Sequence, residues 1–464
     1  MGSRRRIRAR AGRRHEAAHF KPPEEALRST PNMPVQGTTP VLRWLVLAGV
    51  LAVSALLVFA SCRHAIAEHW AGSADPSHWL RAAQLEPANA ENWYRLGRYR
   101  QLDFENSDLS QATAYYQRAT QVDPGPARYW LDLAETYETT GHLAQAEDTF
   151  RKAQQAYPIS ADVAWRLGNF LLRQGREQEA FQQIHKAVSV DPKLTPLAVS
   201  LCWRSTQDID LILRAALPAE PEVDWDAIQF FLDQTQPDAA FAVWKRLMTE
   251  QPSFPISKAF RLLDQLIETG RADDTLIVWQ QALSVAGITP TTGPPHSLIW
   301  DGGFEGQLLN GGLAWRYRPE AGFQMDLDEG TVHSGSRSLR VFFDGSQNVD
   351  FGHLWQYVVV QPNTRYSFSA YLRTEDLTTD SGIRFEITEA NPRSEQRVMT
   401  PGAAGTQPWS LDEITFTTGP TTRLLQVTLR RTPSTELLVN KIRGTAWVDD
   451  VAFVPAPEPS PAQR

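Results

Sequence analysis

Cysteine is almost absent. Cys62 and Cys202 are the only two in 464 residues, and they lie in different segments. No disulfide framework is therefore encoded, and no cluster of thiolates can hold a metal. P-loop, dinucleotide and nucleophile-elbow motifs are lacking as well, so nucleotide-dependent and acyl-transfer chemistry have no signature here. Basic residues do not predominate beyond the start of the chain. Residues 1–40 hold nine Lys/Arg against three Glu, a balance of +6; with a total of −7, the remainder carries −13. A short basic tail ahead of an acidic body is not a nucleic-acid footprint, so no nucleic-acid partner is expected. Within the tail, His15-Glu16-Ala17-Ala18-His19 matches H-E-x-x-H, but it has no core around it and reads as a chance match.

One long apolar run is present. Trp44 to Cys62 is nineteen residues without a charge, about enough to cross a hydrocarbon core as a helix. Arg43 and the Arg-rich tail precede it, so the positive-inside rule puts the N-terminus in the cytoplasm and everything after Arg63 outside, on the periplasmic side. Phe59-Ala60-Ser61-Cys62 resembles a lipobox, and Ala65-Ile66-Ala67 resembles a cleavage site. An uncleaved anchor, a lipoprotein at Cys62 and a cleaved signal thus stay open. The uncleaved anchor is the working reading, because the preceding region is too long for a typical signal.

The stretch from Ala127 to Pro158 organises the body. Trp130, Leu133, Ala134 and Tyr137 recur at helical spacing, Gly141 breaks the helix, and Ala146, Phe150 and Ala153 form a second stripe. Leu167, Gly168, Leu171, Ala180, Ile184, Ala187 and Pro192 follow in the same register. Trp93, Leu96, Gly97, Ala112, Tyr116, Ala119 and Pro124 precede it, with about three extra residues near Asp103–Ser107. The pattern resembles the tetratricopeptide repeat. Clear repeats run over 88–192, and weaker units around Trp244 and Trp279 extend a helical solenoid to 75–286. Leu197–Leu217 reads as helix without the Gly/Ala signature. The resemblance implies a groove for a protein partner, lined by the first helix of each hairpin: Tyr94, Arg98, Glu135, Glu138, Trp165, Asn169 and Arg173. Trp130 is expected in the core of its repeat.

A linker at 287–297, rich in Pro, Gly and Thr, ends the helical pattern. The period then changes to 2. Strands are expected at Ser338–Phe343, Leu354–Val360, Arg365–Arg373, Ile383–Thr388, Leu411–Phe416, Leu424–Arg430 and Thr445–Phe453, giving an antiparallel sandwich over 298–455. Four motifs come in order: Asp301-Gly-Gly-Phe-Glu305, His333-Ser-Gly-Ser-Arg-Ser-Leu339, Tyr366 to Thr374, and Ala446-Trp-Val-Asp-Asp-Val451. Together they resemble the jelly-roll carbohydrate-binding modules of families four and nine, within the galactose-binding-like folds. That resemblance implies a structural calcium ion with Glu305 and Asp449 as ligands; no other cofactor is expected. Alternation places Tyr366, Phe368, Ala370, Ile383, Phe385 and Ile387 in the core. Tyr371, Arg373, Arg384, Glu386 and Arg430 lie on outer faces as a candidate glycan surface, with Trp355 and Tyr357 as candidate stacking rings.

The fold class is therefore multidomain, α plus all-β. A disordered basic cytoplasmic tail (1–40) precedes a single transmembrane helix (41–62), the solenoid and the β-sandwich, and a disordered tail (456–464) ends the chain. The expected function is a membrane-anchored scaffold with a protein partner and a polysaccharide-binding module, in bacterial envelope or exopolysaccharide assembly. A purely structural protein without glycan affinity is the alternative. Enzymatic activity is not expected: Glu386 and Glu389, the carboxylates nearest a glycosidase pair, are three apart on a strand and point to opposite faces.

Overall fold

A computed structural model describes residues 40–103, 105, 107–289, 296–390, 396–436 and 440–457. The basic tail, the H-E-x-x-H stretch and the end of the chain lie outside the described residues, as do positions 104 and 106 of the insertion and 290–295 of the linker.

Helix α1 (Pro40–Ala71) carries the apolar run. At 1.5 Å per residue its 32 residues exceed the roughly 30 Å of a hydrocarbon core. Its apolar side chains from Val41 to Phe59 are exposed, and Cys62 is a free, exposed thiol. The helix continues past Arg63, and His64 Nδ1 lies 2.9 Å from Glu86. Helix α2 (Pro76–Leu85) follows. Asp75 caps it, accepting from Ser77 N at 2.8 Å.

The repeats form from α3 (Ala90–Leu102) onward: α4 (Leu109–Val122), α5 (Ala127–Thr139), α6 (Leu143–Ala156), α7 (Ala161–Arg173) and α8 (Glu177–Val190). Small residues set how closely each pair packs. A Cβ on Gly97 would stand 2.6 Å from the Tyr116 ring, and one on Gly168 would stand 3.1 Å from Ile184. Ala112, Tyr116, Ala119, Ala146, Phe150, Ala153, Ala180, Ile184 and Ala187 are fully buried, so the Gly/Ala signature marks the helix–helix contact itself. Gly141 turns the chain between α5 and α6 in the left-handed region.

The irregular middle departs from the expected single helix over Leu197–Leu217. It is broken into α9 (Thr195–Thr206) and α10 (Ile209–Ala215). Gln207 takes a left-handed φ of 53°, and Asp208 recaps the chain by accepting from Leu211 N at 3.0 Å. Then come α11 (Pro221–Asp233), α12 (Pro237–Thr249), α13 (Phe260–Glu268) and α14 (Ala272–Ala286). Trp244 and Trp279 are buried among them. Cys202 is buried here too, and desolvation pushes its thiol up to about 12.

The β region holds two five-stranded antiparallel sheets. Sheet A has the order β1 (Arg316–Tyr317), β4 (Phe351–Val359), β9 (Leu424–Arg431), β6 (Arg384–Glu389), β7 (Arg397–Met399). Sheet B has the order β2 (Phe323–Asp328), β3 (Ser338–Asp344), β10 (Arg443–Pro455), β5 (Arg365–Leu377), β8 (Gly405–Thr417). Tyr366, Phe368, Ala370, Ile383, Phe385 and Ile387 lie in the shared core, as alternation requires. Strands β1, β2 and β7 were not foreseen; β1 and β7 are too short to show a period. Arg431 is fully buried, and among the described residues no carboxylate is bonded to it. It donates to Asn348 Oδ1 at 2.8 Å and Asn440 O at 3.3 Å, and desolvation draws its guanidinium below the usual value.

The sandwich packs on the last hairpin of the solenoid. Leu313, Ala314 and Leu424 belong to the helical core, and Tyr357 and Val359 pack against it. Trp279 and Trp300 meet edge to face at 5.4 Å. Arg316 donates to Asp264 at 2.6 Å, and Arg423 pairs with Asp273. Gly311 and Gly312 let the backbone close on Phe260 and Trp279; a Cβ on Gly311 would lie 2.3 Å from the Phe260 ring. Gly311→Val is therefore expected to lose about 1–3 kcal/mol through overpacking. It should also split one cooperative melt into two transitions, read by far-UV and near-UV circular dichroism. An unchanged single transition would show that the junction is not tight.

Candidate interaction surfaces

The first helices of the clear repeats carry a ladder of charges. The Tyr94 hydroxyl on α3 donates to Asp132 on α5 at 2.8 Å. Arg166 on α7 donates to Asp132 at 3.3 Å, to Glu135 at 2.9 Å and to Asp162 at 3.0 Å. Arg173 forks onto Glu138 at 2.6 and 2.8 Å. The Asn169 amide donates to the Trp165 carbonyl at 2.9 Å, within its own helix. Tyr94 is nearly buried between Tyr116 and Tyr129, and burial together with Asp132 raises its hydroxyl pKa. Trp165 is half-buried against the helical core, and Arg98 is exposed.

Of the seven groove candidates, Tyr94, Glu135, Glu138 and Arg173 are thus joined by contacts within the chain, and Asn169 is spent on its own helix. Asp132 and Arg166, the centre of the ladder, were not among the candidates. The signal was present: they are opposite charges 34 residues apart, one repeat period. Tyr129 is buried, and Trp130 beside it meets the core expectation in part: it packs against the core of its repeats but stays half-buried, its indole donating to Pro124 O at 2.8 Å and lying under Lys152. It lines a cleft of about 540 Å³ with Gln117, Leu133, Tyr137, Gln145 and Lys152.

Burial raises the Glu135 carboxyl above its usual value, and Arg166 opposes that shift. An acid whose folded pKa is raised binds more protons folded than unfolded, so its contribution to stability falls as pH rises above about 4.5. Arg166→Met removes the opposing cation. The expected loss of denaturant midpoint is larger at pH 7 than at pH 4. An equal loss at both would assign the effect to packing alone.

The seven β-domain candidates do not share a face. Tyr371 and Arg373 are on β5 in sheet B, whereas Trp355, Tyr357, Arg384, Glu386 and Arg430 are in sheet A. Alternation sorts the two faces of a strand but does not say which sheet the strand joins. Tyr371 is covered by His333, ring on ring at 3.5 Å, and Arg373 lies over Trp447 at 5.5 Å. Tyr357 is no open platform either: the Arg316 guanidinium sits 5.3 Å from its ring centre, and burial raises its hydroxyl pKa.

On the outer face of sheet A, register aligns Trp355, Thr428, Glu386 and Met399 across four strands. Arg430 and Arg384 stand opposite each other in the adjoining row. Glu386 is held between Arg397 and Arg430, the latter at 3.3 Å, and Arg430 also pairs with Asp350. Arg397 was missed because β7 has only three residues.

Glu305 and Asp449 tether the 333–337 loop. Glu305 accepts from Ser336 N at 2.7 Å and Arg337 N at 3.1 Å; Asp449 accepts from His333 N at 2.8 Å and Ser334 N at 3.2 Å. Burial alone would raise Glu305, but the donors of Ser336 and Arg337 together outweigh it and hold the carboxyl low. Asp449 is fully buried and shifts upward, burial outweighing its donors. Among the described residues no group of three or more His, Cys, Asp or Glu could hold a metal ion.

The tetratricopeptide repeat family model matches residues 101–161 and 140–193, so this part of the helical region is built of tetratricopeptide repeats. No curated protein matches the chain. Among solved structures, it is similar to YrrB, a tetratricopeptide repeat protein with an unusual peptide-binding site, at 14% identity over 45% of this chain and 92% of that one, TM-score 0.24. It is similar to a family 16 carbohydrate-binding module at 18% identity over 34% of this chain and 99% of that one, TM-score 0.24. It is also similar to the xylan-binding module of Paenibacillus barcinonensis Xyn10C at 17% identity over 36% and 100%, TM-score 0.25.

Proposed function

We propose that the protein is a membrane-anchored scaffold and not an enzyme. Its repeats hold a protein partner on the first-helix face, and the outer face of sheet A binds a glycan, in bacterial envelope or exopolysaccharide assembly. The observation that carries the glycan reading is the row of Trp355, Thr428 and Glu386. It puts a half-buried indole, the ring that stacks on a sugar, on a rigid polar surface braced from beneath by the nearly buried Thr428 and Glu386. The binding reading is further supported by Glu386 itself: both its oxygens are engaged by arginines, which does not suit a proton-transferring acid. The partner face is assigned to the repeats because Arg98 is exposed at the end of a ladder whose other members brace one another.

A structural calcium ion at Glu305 and Asp449 belongs to the same reading. It would require the 333–337 loop to turn carbonyl oxygens toward two carboxylates that now receive N–H groups. A rise in melting temperature with millimolar calcium, reversed by chelator, is the expected sign; no response to either removes the ion.

The anchor reading rests on the length and apolar surface of α1. A reporter fused after residue 464 should be active only outside the cytoplasm, and activity inside would overturn the topology. In the same cells, a photo-crosslinker replacing Arg98 should give a discrete protein adduct that one replacing Arg151, on a second helix, does not. Equal labelling at both positions would remove the first-helix face as the partner surface.

A further inference from the structure

We propose that the glycan taken by sheet A is acidic, a carboxylate-bearing polysaccharide, and that Arg384 is the residue that receives the carboxylate. This rests on the reading that this face binds glycan.

The charge bookkeeping of the face is unequal. Arg384, Arg397 and Arg430 meet two carboxylates, Glu386 and Asp350. Arg397 and Arg430 take both of these, and Arg430 also donates to Phe351 O at 2.7 Å. Arg384 has no bonded partner among the described residues, and its Nε is wholly buried without an acceptor. It stands directly opposite Arg430 on the neighbouring strand. Like charges in that position repel, and a buried donor without an acceptor is a standing cost. An anion at the outer guanidinium nitrogens of Arg384 offsets that repulsion, while the Nε, sealed from solvent, stays unpaired.

The neighbours narrow the class of anion. Arg384 borders the row of Trp355, Thr428 and Glu386, so a carboxylate at Arg384 lies on the same outer face as the half-buried indole of Trp355, two strands away. Planar guanidinium matches a carboxylate edge to edge. Glu386 and Asp350 on the same face repel multiply charged groups, which disfavours phosphate or a nucleic acid. A neutral sugar would leave Arg384 as it is and cover it further.

The test is equilibrium binding by the full chain in detergent micelles. The ligands are a panel of uronate oligosaccharides, their methyl esters, and poly-glutamate. The ester keeps the sugar and removes only the charge, so the wild-type comparison needs no variant. At least one acid form should bind about tenfold more tightly than its ester. Arg384→Gln should bring the acid down to the ester and leave the ester unchanged, and Arg384→Lys should restore part of the difference. Esters or neutral glycans that bind as well as the acids, with no effect of Arg384→Gln, would overturn the inference and leave the glycan reading standing. No binding of any saccharide would remove both. Binding of poly-glutamate with the same dependence on Arg384 would overturn the saccharide class.

Discussion

The molecule is governed by a constraint on helical hairpins: each buries only part of its apolar surface and depends on the next one for the rest. At the end of the array that dependence would leave α13 and α14 uncovered. The β sandwich covers them instead. Leu313, Ala314 and Leu424 enter the helical core, and Trp300 meets Trp279. The sandwich thus acts as the terminal cap of the solenoid as well as a module in its own right.

That cap fixes what the sandwich has left to offer. The helices lie over the end of sheet A marked by Tyr357, Val359 and Leu424, so those apolar side chains serve the junction. The rows through Trp355 and through Arg430–Arg384 lie farther along the same strands. Arg316 marks the border: it bonds Asp264 on the helix side and stacks over Tyr357 on the sheet side. The candidate glycan surface is therefore beside the solenoid, in the same compact unit as the repeats.

How far each feature could be read from sequence follows from the range of the contact behind it. The Gly/Ala spacing of the repeats was legible because Gly97–Tyr116 and Gly168–Ile184 are contacts inside one hairpin. The alternation in β5 and β6 was legible for the same local reason, and it placed Phe368 and Phe385 in the core correctly. What escaped was set by long-range pairing. Tyr371 and Glu386 have the same local pattern, yet belong to different sheets, and nothing within either strand records that. Trp130 escaped in another way. It packs on the core of its repeats as the pattern requires, yet stays half-buried with its indole bonded to Pro124 O, a contact outside the helix that the spacing does not record.

The ladder of charges sits between these cases, and it explains why groove residues are poor guides when taken singly. Glu138 and Arg173 each looked like a group held ready for a partner. They are 35 residues apart, and the repeat brings them into a bidentate pair. In a solenoid every residue on the first-helix face has a neighbour one period away, so a charge is available to a partner only when its equivalents in the adjacent repeats do not neutralise it. Asp132 meets Arg166 by that rule, while the 38-residue step from Tyr94 to Asp132 sets Arg98 against Thr136, which carries no charge. What stands one step along the array, and not the charge itself, decides whether a first-helix residue is left for a partner.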